Sequence, residues 1–117
     1  MLRDDEDSSK GIALEYFQSG VEKFLCGEYD SAREDFIVAV DFDETLSLAY
    51  CYLSSIYTDE GELDESMRLC MKGLSFDPYN SHLHFCLGVV YDHIGRNNEA
   101  LVEYEIYYQE YPDDGEC

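Results

Sequence analysis

Along this chain the apolar side chains return every three or four positions, in blocks broken by short polar or glycine-bearing stretches. Leu101, Tyr104, Tyr108 and Tyr111 are one such block, a stripe down one side of a helix. Strand-like alternation is absent. The pattern predicts six helices, at about 9–26, 30–43, 47–60, 64–77, 81–94 and 98–111. The domain expected from it spans 9–114, between a flexible acidic N-terminus (1–8) and a short tail (115–117).

The blocks repeat. Shifting the sequence by 34 residues superposes Gly20 on Ser54 and Gly88, Gly27 on Gly61 and Gly95, and Ala32 on Ser66 and Ala100. It also superposes Phe36 on Cys70 and Tyr104, Tyr16 on Tyr50 and His84, Tyr57 on Tyr91, and Pro78 on Pro112, with no gap. A fixed period of this length is the signature of stacked supersecondary units. Repeats at about 13–46, 47–80 and 81–114 are expected.

Each repeated class has a mechanical reason. Gly27, Gly61 and Gly95 fall where a left-handed residue ends the first helix of a unit. Asp30, Asp64 and Asn98 follow, where a short polar side chain can cap the second helix. Small residues at 20/54/88 and 32/66/100 let two antiparallel helices approach closely. Pro78 and Pro112 close the second helix, a place taken by Glu44 in the first unit, whose turn is therefore less sharply specified.

An aromatic, a small residue, a tyrosine, an alanine, an aromatic and a proline at this spacing resemble the tetratricopeptide repeat over residues 13–114. Lys23, in place of the tyrosine matching Tyr57 and Tyr91, departs from that pattern, as do Cys70–Gly73 and Tyr107. The resemblance implies an all-α fold, a right-handed superhelix of three antiparallel helix pairs whose first helices line a concave groove.

In such a stack, residues one period apart form rows across neighbouring units. The expected groove rows are Leu14, Leu48 and His82; Phe17, Cys51 and Phe85; and Val21, Ser55 and Val89, with Phe24, Thr58 and Asp92 extending them toward the turns. They describe an apolar trough rimmed by Glu22, Asp59, Glu60 and Asp92. A partner segment with apolar anchors and basic flanks suits it, and an extra helix or the acidic N-terminal segment could fill it instead. Members of the family that hold acidic chaperone tails carry lysine, arginine and asparagine in the groove, where this chain has Phe17, Val21, Cys51, Ser55 and Val89. A second expected contact is the C-terminal edge, Leu101, Tyr104, Tyr108 and Tyr111, read as a docking or homo-oligomer surface. The alternative there is that Tyr104 and Tyr107 complete the third unit's own core.

Charge narrows the partners. With 27 acidic against 7 basic residues the formal net charge is −20, which repels nucleic acid and anionic lipid and attracts basic segments, or simply keeps the chain soluble. No run of about 18 apolar residues occurs, so membrane insertion is not expected. The opening residues lack the apolar core of a secretory signal, so a cytoplasmic placement is expected. Five cysteines without a CxxC pair read as small hydrophobes.

Catalytic and metal chemistry finds no motif. His82 and His84 point to different helix faces, and His82 with Cys86 supplies too few ligands for zinc. The run at Asp41, Asp43 and Glu44 lacks the glycine and terminal glutamate of a calcium loop. No phosphate loop or nucleophile elbow is present. The function expected is therefore a non-enzymatic protein–protein interaction module, adaptor or chaperone-like, with no cofactor and no metal. The alternatives are a self-assembling structural subunit, or a chaperone of the kind that serves type III secretion translocators, which the chain resembles in size, repeat number and acidity.

Overall fold

The computed structural model describes residues 2–112, with side chains from Ser8 onward. Six helices follow one another: α1 Leu2–Leu25, α2 Tyr29–Phe42, α3 Ser47–Asp59, α4 Leu63–Phe76, α5 Ser81–Ile94 and α6 Asn97–Glu110. They pack as α1 on α2, α3 on α4 and α5 on α6. Between units α3 touches α2 and α5, and α4 touches α5, giving an elongated body of 49 × 29 × 27 Å. The expected tail at 115–117, with Cys117 and the acidic residues 113–116, lies outside the described residues, as does Met1.

Each pair is turned by the same device. Gly27, Gly61 and Gly95 have φ of 83°, 81° and 95°, a backbone region closed to most side chains. The glycine N–H donates to the carbonyl three residues back, and the next N–H to the carbonyl five back, as in Gly95 to Asp92 and Arg96 to Tyr91. These bonds satisfy carbonyls that the ending helix leaves exposed.

The helix starts differ from expectation. Asp30, Asp64 and Asn98 do not cap. The cap positions are Glu28, Glu62 and Arg96, none with a side-chain cap bond, and the three expected residues are the second residues of their helices, two places past the caps. Closing the glycine turn in so few residues starts the second helix early. Asp30 and Asp64 there favour the positive helix end by charge alone. Asn80 does cap α5, accepting from the Leu83 N–H at 3.1 Å. At the other end of the chain α1 begins at Leu2, not at residue 9, so the segment expected to be flexible is helical from that point. An acidic run at a helix start is favoured by the helix dipole.

Small residues seat large ones. Phe36, fully buried, lies over Gly20, where an added Cβ would come within 2.7 Å of the ring. Tyr104 lies over Gly88 in the same way, at 2.8 Å. In the middle unit serines fill the tight contact, and Thr58, Ser66 and Ser54 satisfy one another: Thr58 Oγ1 is 2.6 Å from Ser66 Oγ, which donates to the Ser54 carbonyl at 2.8 Å. Tyr50, Phe36, Leu53, Ile56, Leu83 and Val90 form the bulk of the fully buried core.

The turns between units also repeat. Tyr50 OH donates to the Glu44 carbonyl at 2.8 Å, and one period on His84 Nε2 sits 2.9 Å from the Pro78 carbonyl. Burial, more than the nearby carboxylates, pushes the Tyr50 hydroxyl above its ordinary range. Where the first unit lacks proline, Asp43 makes the turn, accepting from both the N–H and the hydroxyl of Thr45.

Candidate functional site

Because consecutive units are shifted copies, the expected rows become neighbouring side chains on α1, α3 and α5. Their burial separates them. Leu14 and Leu48 are 49% and 41% exposed, and His82 is also exposed, so this row is open surface. Phe17, Val21 and Phe24 are partly buried and pack on the core, as does Cys51. Ser55, Phe85 and Val89 are likewise half-buried. Thr58 is not surface: it is 7% exposed and bonded to Ser66 inside the α3–α4 pair. Sequence placed it in the groove because it shares a row, one period apart, with Phe24 and Asp92. Asp92 is exposed but accepts from Tyr104 OH at 2.7 Å, so it also ties its own pair together.

Two aromatic clusters occupy the ends of this surface. Tyr52 stacks on Phe36 at 5.1 Å and meets Phe17 at 5.8 Å and Phe24 at 5.1 Å edge-on. The row reading missed Tyr52, because its period partners Gln18 and Cys86 gave no aromatic signal. At the far end Phe85 packs on Tyr104 at 5.2 Å and Tyr107 at 4.9 Å, while His82 meets Tyr107 and Tyr111.

The C-terminal stripe is thereby split. Tyr104 belongs to the interior of the third pair, over Gly88. Its hydroxyl is pushed above the ordinary tyrosine range by burial and then by the Asp92 carboxylate. Tyr111 leans on His82, its hydroxyl 3.4 Å from Nε2. Leu101 and Tyr108 remain outward, 58% and 39% exposed, with Val102 beside them at 56%.

Electrostatics set the rim. Of the 7 basic residues, Lys23, Arg33, Arg68 and Arg96 are each held by a carboxylate of this chain. Arg33 bridges Asp30 and Glu60, whose hydrogen bond raises its already high basicity. Lys23, the departure from tyrosine in the first unit, is explained by Asp35. That buried carboxylate accepts from Ser19 at 2.7 Å and pairs with Lys23 at 3.0 Å. Beside the first turn, Tyr29, Asp30, Asp59 and Glu60 wall a cleft of about 360 Å³, adjoining Phe24, whose ring lies 5.2 Å from Tyr29. Glu22 is exposed on α1, among the expected rim residues.

Among the described residues no cluster of three His, Cys, Asp or Glu could hold a metal. Nor is any helix long and apolar enough to cross a membrane.

The family model for the tetratricopeptide repeat matches residues 69–102, from α4 through α5 into α6. Solved structures superpose on all three pairs. The second such domain of Spaghetti (RPAP3), solved with the HSP90 peptide SRMEEVD, matches with TM-score 0.83 at 19% identity, covering 91% of this chain and 97% of that one. The chain is a three-repeat protein of the tetratricopeptide fold. The Arabidopsis OM64 tetratricopeptide domain matches with TM-score 0.84 at 13% identity, over 92% of this chain and 88% of that one. MamA matches with TM-score 0.73 at 21% identity, over 90% of this chain and 61% of that one. At these identities the likeness is one of fold. No curated protein sequence matches the chain significantly. In this tetratricopeptide fold the Gly20–Phe36 and Gly88–Tyr104 contacts bring first and second helices close in the first and third pairs.

Proposed function

We propose that the chain is a non-enzymatic peptide-binding module, adaptor or chaperone-like. It takes an apolar, basic-flanked segment of another protein along the face of α1, α3 and α5. One observation carries this reading: the face presents Leu14 and Leu48 to solvent while four of the chain's basic side chains are already engaged by its own carboxylates. An extended segment would set apolar side chains against Leu14, Leu48 and the half-buried row behind them. A lysine or arginine of its flank would meet Asp59 and Glu60 at the acidic cleft. Two domains of RPAP3 with this fold were solved with an acidic HSP90 peptide, which supports peptide binding as the mode. The charge of this chain favours the opposite sign of ligand.

The surface residues Leu14 and Leu48 can be changed without opening the core. Leu14→Asp with Leu48→Asp should abolish binding of a basic-flanked apolar peptide in fluorescence anisotropy while leaving helicity intact. Unchanged affinity would place the binding face elsewhere. A second reading, self-assembly, is favoured by the outward Leu101, Val102 and Tyr108 on α6. It requires concentration-dependent sedimentation that Tyr108→Asp removes.

A further inference from the structure

Cys51 on α3 and Cys86 on α5 face each other across the junction of the second and third units. The Cys86 thiol donates to the Cys51 carbonyl at 3.8 Å, the Cys51 thiol donates to the His82 carbonyl at 3.7 Å, and Cys51 packs against the buried cluster that holds Cys86. Cys51 is partly exposed on the groove side, whereas Cys86 is 8% exposed and packs with Cys70 in the core beneath it. A pair of this kind differs from the exposed Cys26. Cys51 is partly open to an oxidant, and a second cysteine is packed beside it.

We propose that Cys51 and Cys86 form a peroxide-driven cross-link site, a reversible disulfide that clips α3 to α5. Hydrogen peroxide transfers one oxygen to the Cys51 sulfur, its O–O bond breaking, to give a sulfenic acid and one water. The Cys86 sulfur then attacks the Cys51 sulfur. The S–S bond forms as the S–OH bond breaks, and the hydroxide leaves as a second water with the Cys86 proton. Two thiols are oxidised by two electrons and one peroxide is reduced to two waters.

Exposure, not acidity, gives Cys51 the first step: its raised thiol slows the reaction with peroxide, while the lowered Cys86 thiol speeds the second step. The neighbouring Cys51 thiol, whose effect outweighs burial, holds the Cys86 thiol below the ordinary cysteine range, and the Cys86 thiol together with burial holds Cys51 above it. Cys86 is thus the readier nucleophile of the two. Cys70 is pushed up to about 12 by burial and is the inert member of the group. The proposal stands on the packing of Cys86 against Cys51 and is independent of what the groove binds.

The test uses the full chain with Cys26→Ser and Cys117→Ser, so that Cys51, Cys70 and Cys86 are the thiols left. After treatment with hydrogen peroxide the protein is alkylated under denaturing conditions and its mass measured. Trypsin cleavage at Arg68 and Lys72 places the three cysteines on separate peptides. The expected result is a mass lower by two hydrogens, one alkylated thiol, and a linked pair of peptides carrying Cys51 and Cys86 that dithiothreitol separates. Cys70→Ser should leave the link intact, and Cys86→Ser should leave a dimedone-reactive sulfenic acid on Cys51. The proposal is overturned if all three thiols stay alkylatable while methionines oxidise, if Cys51 proceeds to sulfinic acid without linking, or if Cys70 replaces either partner in the link.

Discussion

The ring of Tyr107 lies 4.9 Å from that of Phe85, at a place where the two preceding units carry Ala39 and Gly73. In the second unit the small residue is a seat for the next helix: a Cβ on Gly73 would come within 2.9 Å of Leu83 on α5 and 3.1 Å of Tyr50. In the third unit the same position holds a tyrosine, folded back over Phe85, His82 and Tyr111.

Tyr107 accordingly stabilises the last pair by covering its exit face. Tyr107→Ala should lower unfolding free energy by about 2 kcal/mol, as expected for truncating a half-buried aromatic among aromatic neighbours. Urea denaturation measures it. A change within about 0.5 kcal/mol, the range of surface substitutions, would show that the stack contributes nothing.

Two glycines on helix interiors should respond with opposite sign. Gly88→Ala forces a methyl group within 2.8 Å of the Tyr104 ring and 3.3 Å of the Ala100 carbonyl, and should cost about 1–3 kcal/mol. Gly11→Ala on α1 meets nothing within 4 Å and should stabilise by about 0.5–1 kcal/mol through helix propensity. Thermal melts of the two variants check both signs at once.

Lys23 and Asp35 should behave as a unit. Lys23→Tyr alone, although it restores the residue type of the other repeats, leaves a carboxylate that is 13% exposed without its cation, and should destabilise by about 1–3 kcal/mol. Adding Asp35→Leu, the residue type found one period later at Leu69, should recover most of that loss. A double-mutant cycle by chemical denaturation measures the coupling. Additive effects would mean the pair is incidental.

Tyr104 and Tyr50 make the fold sensitive to alkali. Both hydroxyls are held above the ordinary tyrosine value of 10.0 when folded, so the folded chain keeps protons that the unfolded chain releases. Their contribution is fully present below pH 10 and is lost as the pH rises above it. Tyr104→Phe forfeits the Asp92 bond, about 1 kcal/mol at neutral pH, but should flatten the decline. Stability measured between pH 8 and pH 11 in both proteins, roughly the range over which tyrosine titrates, tests this.

Much of the fold was legible because one period governs it. The left-handed glycines at 27, 61 and 95 and the small-on-large contacts of Gly20 and Gly88 are local rules repeated at fixed spacing. The helix starts differ because Asp30, Asp64 and Asn98 are good capping residues that the tight glycine turn places two positions too late. Thr58 was misplaced because a row says which residues are neighbours, not which way each turns. Here two buried serines provide the partners that draw the hydroxyl inward. Tyr52 and Asp35 break the period, so their packing was visible only once the helices were set against one another, whereas Tyr107 is legible in the sequence as an alternative core residue of the third unit.

The central claim, a groove for apolar segments with basic flanks, is tested most directly by comparing two labelled peptides on the same protein. One carries leucine and phenylalanine anchors between lysines, and the other is the acidic SRMEEVD that the RPAP3 domains hold. The account predicts that the basic peptide binds, more weakly as salt rises and not at all to the Leu14→Asp, Leu48→Asp variant, while the acidic peptide does not bind. Preference for SRMEEVD, or equal binding of the basic peptide to wild type and variant, would contradict it.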